Sequence, residues 1–400
     1  MDFIRKTSLI VAASSLLAAC AGENQTAPPI WEQVVDPGTA VTHISASQAD
    51  ISADAFGDLV TLGSVISDAD PSTPALDNFR QLFLMKQDDR GNLIWSTLLD
   101  YPVEGGSPME VESDRNGNLY LVGEDFVMKT DRYGQVQWLD TFEDLALSIT
   151  VTDDRIYVPG RTTRIYDLNG NLQLTIDNGD IYPWEVVIAD NGDIIQATWT
   201  AITRHDSYGN LVWSAPAPAD VTTLARIRLD AQENVYVSYL SNSGDSSSKK
   251  VAAQLIKVNA NGTPAWDLFI PDRRPSSNYS KSGNVALYIT ANGELLNLTA
   301  GTRGRQITRI NPTNGSVIWE KVYSGEGPAS DSFLDSDDTL YIAGGSNPQK
   351  YDAGGNLLGT GEMRYTITGD SLAVTSSGMF VSGIVSENDV FNYYTVAFER

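Results

Sequence analysis

A single cysteine, Cys20, stands in 400 residues. The body of the chain therefore has no disulfide framework, no cysteine-ligated metal and no cysteine nucleophile. Histidine is almost as scarce, with His43 and His205 the whole complement. Their places in the repeat described below put them on opposite faces, which argues against a histidine metal pair or a Ser-His-Asp set built around both. No G-x-S-x-G, P-loop or H-E-x-x-H phrase occurs. Basic residues are few: 27 Lys and Arg against 51 Asp and Glu leave a net charge of −24. Such a body repels phosphate backbones, so nucleic acid is not an expected partner, and it meets anionic lipid only through an anchor. Long stretches with a 3.6-residue apolar period are missing too, so little helix is expected. These absences assign no catalytic residue, no metal and no cofactor. They favour a non-enzymatic role, with a carboxylate-pair glycosidase left open.

The N-terminus reads as a processing segment. Arg5 and Lys6 precede an apolar run from Ser8 to Ala19 that is too short to span a bilayer comfortably. It ends Leu17-Ala18-Ala19-Cys20, which resembles the lipobox of bacterial lipoproteins, with Cys20 the acylated residue. Residues 1–19 are thus expected to be a signal peptide, 20–29 a lipidated polar tether, and 30–400 the folded body. Ala21, where retained lipoproteins carry Asp, implies the outer membrane, with the periplasmic or surface side open.

Two phrases alternate along the body. The first is a turn followed by a strand: Gly57-Asp58-Leu59-Val60 opens one copy and Gly117-Asn118-Leu119-Tyr120 another, eight in all. The second is strand, turn, strand, as in the copy from Phe83 that ends Asp88-Asp89-Arg90-Gly91-Asn92-Leu93-Ile94-Trp95, with seven complete copies. The chain ends on half a copy, and Ile30-Trp31-Glu32 begins it with the missing half. Eight units of about 46 residues, each of four strands A to D, match β-propeller blades. An eight-bladed β-propeller is predicted, its ring closed by the N-terminal strand pairing in the last blade. Closure removes the free edges that invite aggregation.

The turn chemistry accounts for the second phrase. Asp88, Asp131, Asp167, Asp206 and Asp352 all stand three before a glycine. Each offers a side-chain oxygen to the backbone ahead, and the glycine accepts positive φ. The Trp four after the glycine is expected to fill the wedge between blades. Calcium needs six to eight oxygens, more than one such turn supplies.

The phrase D-x-x-G-N-x-x-W resembles the repeat of PQQ-like and SBBP-type β-propellers, and the run from Asp131 to Trp138 is similar to a tryptophan-docking motif. The resemblance covers residues 30–400 and implies the fold, not an activity. A lipobox, a short tether and eight blades also resemble the layout of lipoprotein subunits of the outer-membrane β-barrel assembly machine. That implies an envelope protein partner.

In such blades the A–B and C–D turns lie on one face, and the B–C and D–A connections on the other. The tight Gly-Asn turns predict a plain face. Long loops at 64–80, 239–253 and 384–392, and at 99–108, 271–284 and 359–369, predict a decorated one, where binding resides. Contact candidates there are Trp184 and Glu185 at the start of one inner strand, Arg226 at the same level in the next blade, and Arg273 and Arg274 in a basic loop. Glu185 is one expected partner of Arg226. The resulting reading is an envelope lipoprotein that binds a protein through its decorated face. The alternative is a propeller with a carboxylate-lined central pocket for carbohydrate or another small ligand.

Overall fold

The computed structural model describes residues 10–11, 26–37, 43–68, 78–99, 108–179, 181–219, 221–242, 251–273, 283–301, 304–324, 329–344, 347–387 and 390–400. Every regular element among them is a strand. The strands form eight antiparallel sheets of four, the predicted eight-bladed β-propeller, two of them extended by a short fifth strand. By contacts the chain divides into one unit of Met1–Asp140, Tyr341–Asp352 and Asn356–Arg400, and a second of Thr141–Leu340 and Ala353–Gly355.

In the first unit, strands A to D of blade 1 are His43–Ala53, Leu59–Asp68, Asn78–Gln87 and Leu93–Leu99. Blade 2 follows with Pro108–Ser113, Leu119–Gly123, Phe126–Thr130 and Val136–Thr141. Blade 8 takes Thr368–Val374, Met379–Glu387 and Val390–Phe398 from the end of the chain. Its strand D is Trp31–Val35, with Trp31 opposite Ala397 and Val35 opposite Tyr393. The predicted closure is therefore present. Trp31 is buried with Ile51, Leu59, Phe380 and Ala397, its ring 5.8 Å from that of Phe380. Beneath it, Gln87 donates to Gln33 at 2.7 Å and accepts from Thr395 at 3.0 Å. A buried amide left alone costs about 1–3 kcal/mol, so this relay favours the observed register over a slipped one.

In the second unit, blade 3 is Thr150–Val151, Arg155–Val158, Thr162–Asp167 and Leu172–Asp177. Blade 4 is Val186–Ile188, Ile194–Ala197, Ala201–His205 and Leu211–Pro216. Blade 5 is Val221–Leu229, Val235–Asn242, Val251–Val258 and Pro264–Ile270. Blade 6 is Gly283–Ile289, Leu295–Gly301, Gly304–Ile310 and Val317–Ser324. The unit boundary passes through blade 7, made of Asp331–Leu334, Leu340–Ala343, Gln349–Tyr351 and Leu357–Gly361.

The repeated turns behave as their residues dictate. Asp88 Oδ1 accepts from the amides of Arg90 and Asn92, and its Oδ2 from the Asn92 side chain. Gly91 then takes φ 81°. The strand D tryptophan lies flat on the glycine of the next blade's turn. A Cβ built at Gly91 would meet the Trp31 ring at 2.6 Å, and one at Gly262 the Trp213 ring at 2.7 Å. Each indole also donates to the carbonyl two residues before that glycine, Trp31 to Asp89 and Trp213 to Ala260, both at 3.0 Å. One residue type thus supplies both wedge and clasp between blades.

Several expected loops are strands. Blade 1 continues its B–C hairpin to Asp68 paired with Asn78, blade 5 to Asn242 with Val251, and blade 8 to Glu387 with Val390. Alternation persists there in polar residues, whose backbone pairs as well as any. The connections 69–77, 100–107 and 243–250 lie outside the described residues, as do Cys20 and Arg274. Within the expected tether, Thr26–Ala27 pairs in parallel with strand D of blade 7. Within the expected signal peptide, Ile10–Val11 pairs with the outer edge of Trp31–Val35.

Candidate functional site

In the second unit the innermost strands of blades 4 to 7 carry a run of charged and hydroxylated side chains. The bend before strand A of blade 4 holds Trp184, half-buried, whose carbonyl accepts from Ser148 Oγ at 2.8 Å. Glu185 follows. Its Oε2 accepts from the backbone of Ile227 at 3.1 Å, and its Oε1 from Arg228 Nη1 at 2.6 Å. Glu185, expected as one partner of Arg226, pairs with Arg228. Adjacent inner strands meet with Glu185 beside residue 227, and the guanidinium on the far side is the one that reaches it. Arg226 is half-buried in the same strand and is not without a partner.

The next inner strand offers Tyr288, which donates to the Ser332 carbonyl at 2.5 Å. The Arg228 guanidinium lies 6.0 Å from its ring centroid. Burial pushes the phenol up to about 12, with Asp331 adding to that and Ser332, Arg228 and Arg226 opposing it. At neutral pH it is a fixed donor and not a base.

The carboxylate of Glu185 therefore works as a bracket that ties blade 4 to blade 5. The first unit has the same device: Asp50 accepts from the Val111 amide and from Ser371 Oγ, both at 3.0 Å. These two inner-strand carboxylates are committed to neighbouring blades, which weakens the reading of a carboxylate-lined catalytic pocket. His205 holds its own hairpin, Nδ1 to the Gly209 carbonyl and Nε2 to Thr203, both at 3.2 Å. Among the described residues no three His, Cys, Asp or Glu side chains are grouped to hold a metal ion.

On the connection from blade 5 to blade 6, Arg273 is 62% exposed and its Nε sits 2.6 Å from Glu320. Its amide donates to Gln306, so the guanidinium is presented from a fixed backbone. Trp199, unremarked in the sequence, is 45% exposed at the B–C turn of blade 4. The turn is tightened beneath it by Thr198 Oγ1, which accepts from the amides of Thr200 and Ala201. Its signal was the phrase Thr198-Trp199-Thr200 outside the wedge spacing. The B–C and D–A connections of this unit thus present Trp199 and Arg273, and Trp184 is half-buried. That is interface chemistry more than acid–base chemistry.

A second set escaped the sequence reading. Arg204, at the end of strand C of blade 4, reaches Asp193 and Glu233 at 2.7 Å each. Arg309, in blade 6, reaches Glu294 at 2.7 Å and Asp338 at 3.0 Å. Glu233 and Asp338 occupy the glycine position of their A–B turns and are the described non-glycine residues with positive φ, 59° and 65°. The legible signal was a basic residue two before the C–D turn, as at Lys86, Arg204 and Arg309.

No family model matches the chain, and no curated protein matches it in sequence. Solved structures do match in fold. The propeller of Dos1 has a TM-score of 0.59 at 10% identity, covering 90% of this chain and 95% of that one. BamB from Moraxella catarrhalis has a TM-score of 0.54 at 12% identity, covering 89% of this chain and 100% of that one. A protein from Lactobacillus plantarum has a TM-score of 0.51 at 13% identity, covering 72% of this chain and 92% of that one.

Proposed function

We propose that this chain is a non-catalytic envelope lipoprotein. Its propeller serves as a rigid scaffold that binds a protein partner through the B–C and D–A connections of blades 4 to 6. The observation that carries the reading is the commitment of Glu185 to Ile227 and Arg228, together with the exposure of Trp199 and Arg273. Glu185 and Asp50 are spent on holding blades together, while the loops present an aromatic and a guanidinium on fixed backbone. Fold likeness to BamB is compatible with this role. The anchor rests on the lipobox ending in Cys20.

Photo-crosslinking in intact cells tests the reading. A crosslinking side chain at Trp199 or Arg273 is expected to capture one stoichiometric envelope protein. The same substitution at Leu172, exposed on the outer strand of blade 3, is expected to capture none. Absence of an adduct from both face positions contradicts the proposal. Cys20→Ser is expected to move the protein to the soluble fraction, and its retention in the membrane contradicts the anchor alone.

A further inference from the structure

The face that the sequence marks as plain carries a built aromatic and guanidinium cluster. In the first unit, Phe56 in the A–B turn of blade 1 is 56% exposed, and Tyr133 in the C–D turn of blade 2 is 63% exposed. Arg132 lies between them, its guanidinium 5.0 Å from the Phe56 centroid and 5.5 Å from that of Tyr133. The neighbouring turns of the same blades bear Arg90 and Arg115, both exposed.

The cluster is held in place from below. The Phe56 amide donates to Asp54 at 2.8 Å, and the ring lies on Gly117, where an added Cβ would meet it at 2.7 Å. The Arg132 carbonyl accepts from the Trp95 indole at 3.2 Å, and the Tyr133 amide donates to Asp131 at 2.9 Å. The aromatic side chains therefore surrender little backbone freedom on contact with a partner.

These turns carry both signs of charge, and Asp89 is exposed beside Arg90. Asp54 and Asp58 take Lys86 at 2.5 and 3.0 Å. Asp88, Asp114 and Asp131 each accept from the amides of their own turns. The arginines stand outward on the same turns. A guanidinium already stacked on two rings is suited to a carboxylate, which it meets with two parallel N–H donors while the rings take an apolar group.

We propose that Phe56, Arg132 and Tyr133, with Arg90 and Arg115 beside them, form a second docking surface. Its occupant is a polypeptide segment that presents a carboxylate next to an aromatic side chain. Exposed aromatics and arginine on rigid turns are the composition of interface hot spots. The surface is distinct from the loops of blades 4 to 6, so its test does not depend on them.

The experiment uses the mature protein and fluorescein-labelled peptides of repeating Glu-Phe-Ser, with Lys-Phe-Ser and Glu-Ala-Ser repeats as comparisons, read by fluorescence anisotropy. The Glu-Phe-Ser peptide is expected to bind at least about tenfold tighter than either comparison. Arg132→Glu is expected to weaken it by about tenfold or more. Tyr133→Ser, whose exposed ring supports no core neighbour, is expected to weaken it several-fold with an unchanged melting temperature. Amide exchange in residues 54–58 and 131–135 is expected to slow on binding. Equal binding of the Lys-Phe-Ser peptide, or Arg132→Glu and Tyr133→Ser variants that bind as the parent does, overturns the proposal. So does capture by phosphatidylglycerol vesicles with no peptide binding, which assigns the surface to lipid.

Discussion

Arg204 and Glu233 meet across two blades at 2.7 Å, and the glutamate does so from φ 59°. Left-handed backbone costs a residue with a Cβ about 1–2 kcal/mol, so the ion pair and the strain oppose each other. Glu233→Gly removes both and is expected to change stability by less than about 1 kcal/mol. Glu233→Ala keeps the strain, loses the pair and is expected to cost about 1–3 kcal/mol. Urea unfolding of the two variants checks the ordering.

Asp338 sets a harsher case. It sits at φ 65° but is buried against Arg309 and also accepts from the Ala291 amide at 2.7 Å. Asp338→Gly is expected to cost about 1–3 kcal/mol, because it removes one of the two carboxylates on buried Arg309 and leaves the Ala291 amide without its acceptor. A loss no greater than that of Glu233→Gly in the same urea series contradicts the role given to burial.

The glycine turns separate docking from backbone strain. Gly262 and Gly293 share positive φ, 85° and 81°. Only at Gly262 would a Cβ strike an indole, that of Trp213 at 2.7 Å, while Gly293 has open space. Gly293→Ala is expected to cost about 1 kcal/mol, and Gly262→Ala about 1–3 kcal/mol more. Equal losses in thermal melts contradict the clasp between blades.

Much of this was legible because the repeat is written in residues whose physics is local. Asp88, Gly91 and Trp95 each act within one turn or on the next blade's copy of that turn, so counting them counts blades. Glu233 and Asp338 were opaque because they break the glycine rule, and the arginines that compensate lie 29 residues away in sequence in both cases. Arg228 was passed over for Arg226 because level was read from turn spacing, and strand A of blade 5 shifts register between Thr223 and Arg226. Trp199 and the Phe56–Arg132–Tyr133 cluster were hidden for another reason. Exposure is set by the neighbouring blade, which periodicity alone does not describe.

Stability should fall at both ends of the pH scale. Burial works against the charged form of Asp230, but donors from Asn234, Tyr236 and Gln232 outweigh it and hold the carboxyl below its ordinary range. Asp144 is likewise low, held there against burial by Arg164 and Thr162. Unfolding raises both values, so their stabilisation is present above about pH 4 and is lost as pH falls through the lower folded values. For Tyr288, raised to about 12 by burial, the sign reverses. Its contribution is complete below about pH 10 and disappears as pH climbs toward 12. Thermal melts across pH should show both declines, and Asp230→Asn should reduce the acid one.

The account rests first on closure by Trp31–Val35, and supplying that strand separately tests it most directly. A chain lacking residues 30–36 is expected to lose several kcal/mol of edge pairing and burial in urea. A synthetic peptide of residues 30–36 added to it is expected to restore the midpoint, and the same peptide carrying Gln33→Leu to restore less. A truncated chain that melts with the full body, or that ignores the peptide at saturating concentration, contradicts the closed eight-bladed ring.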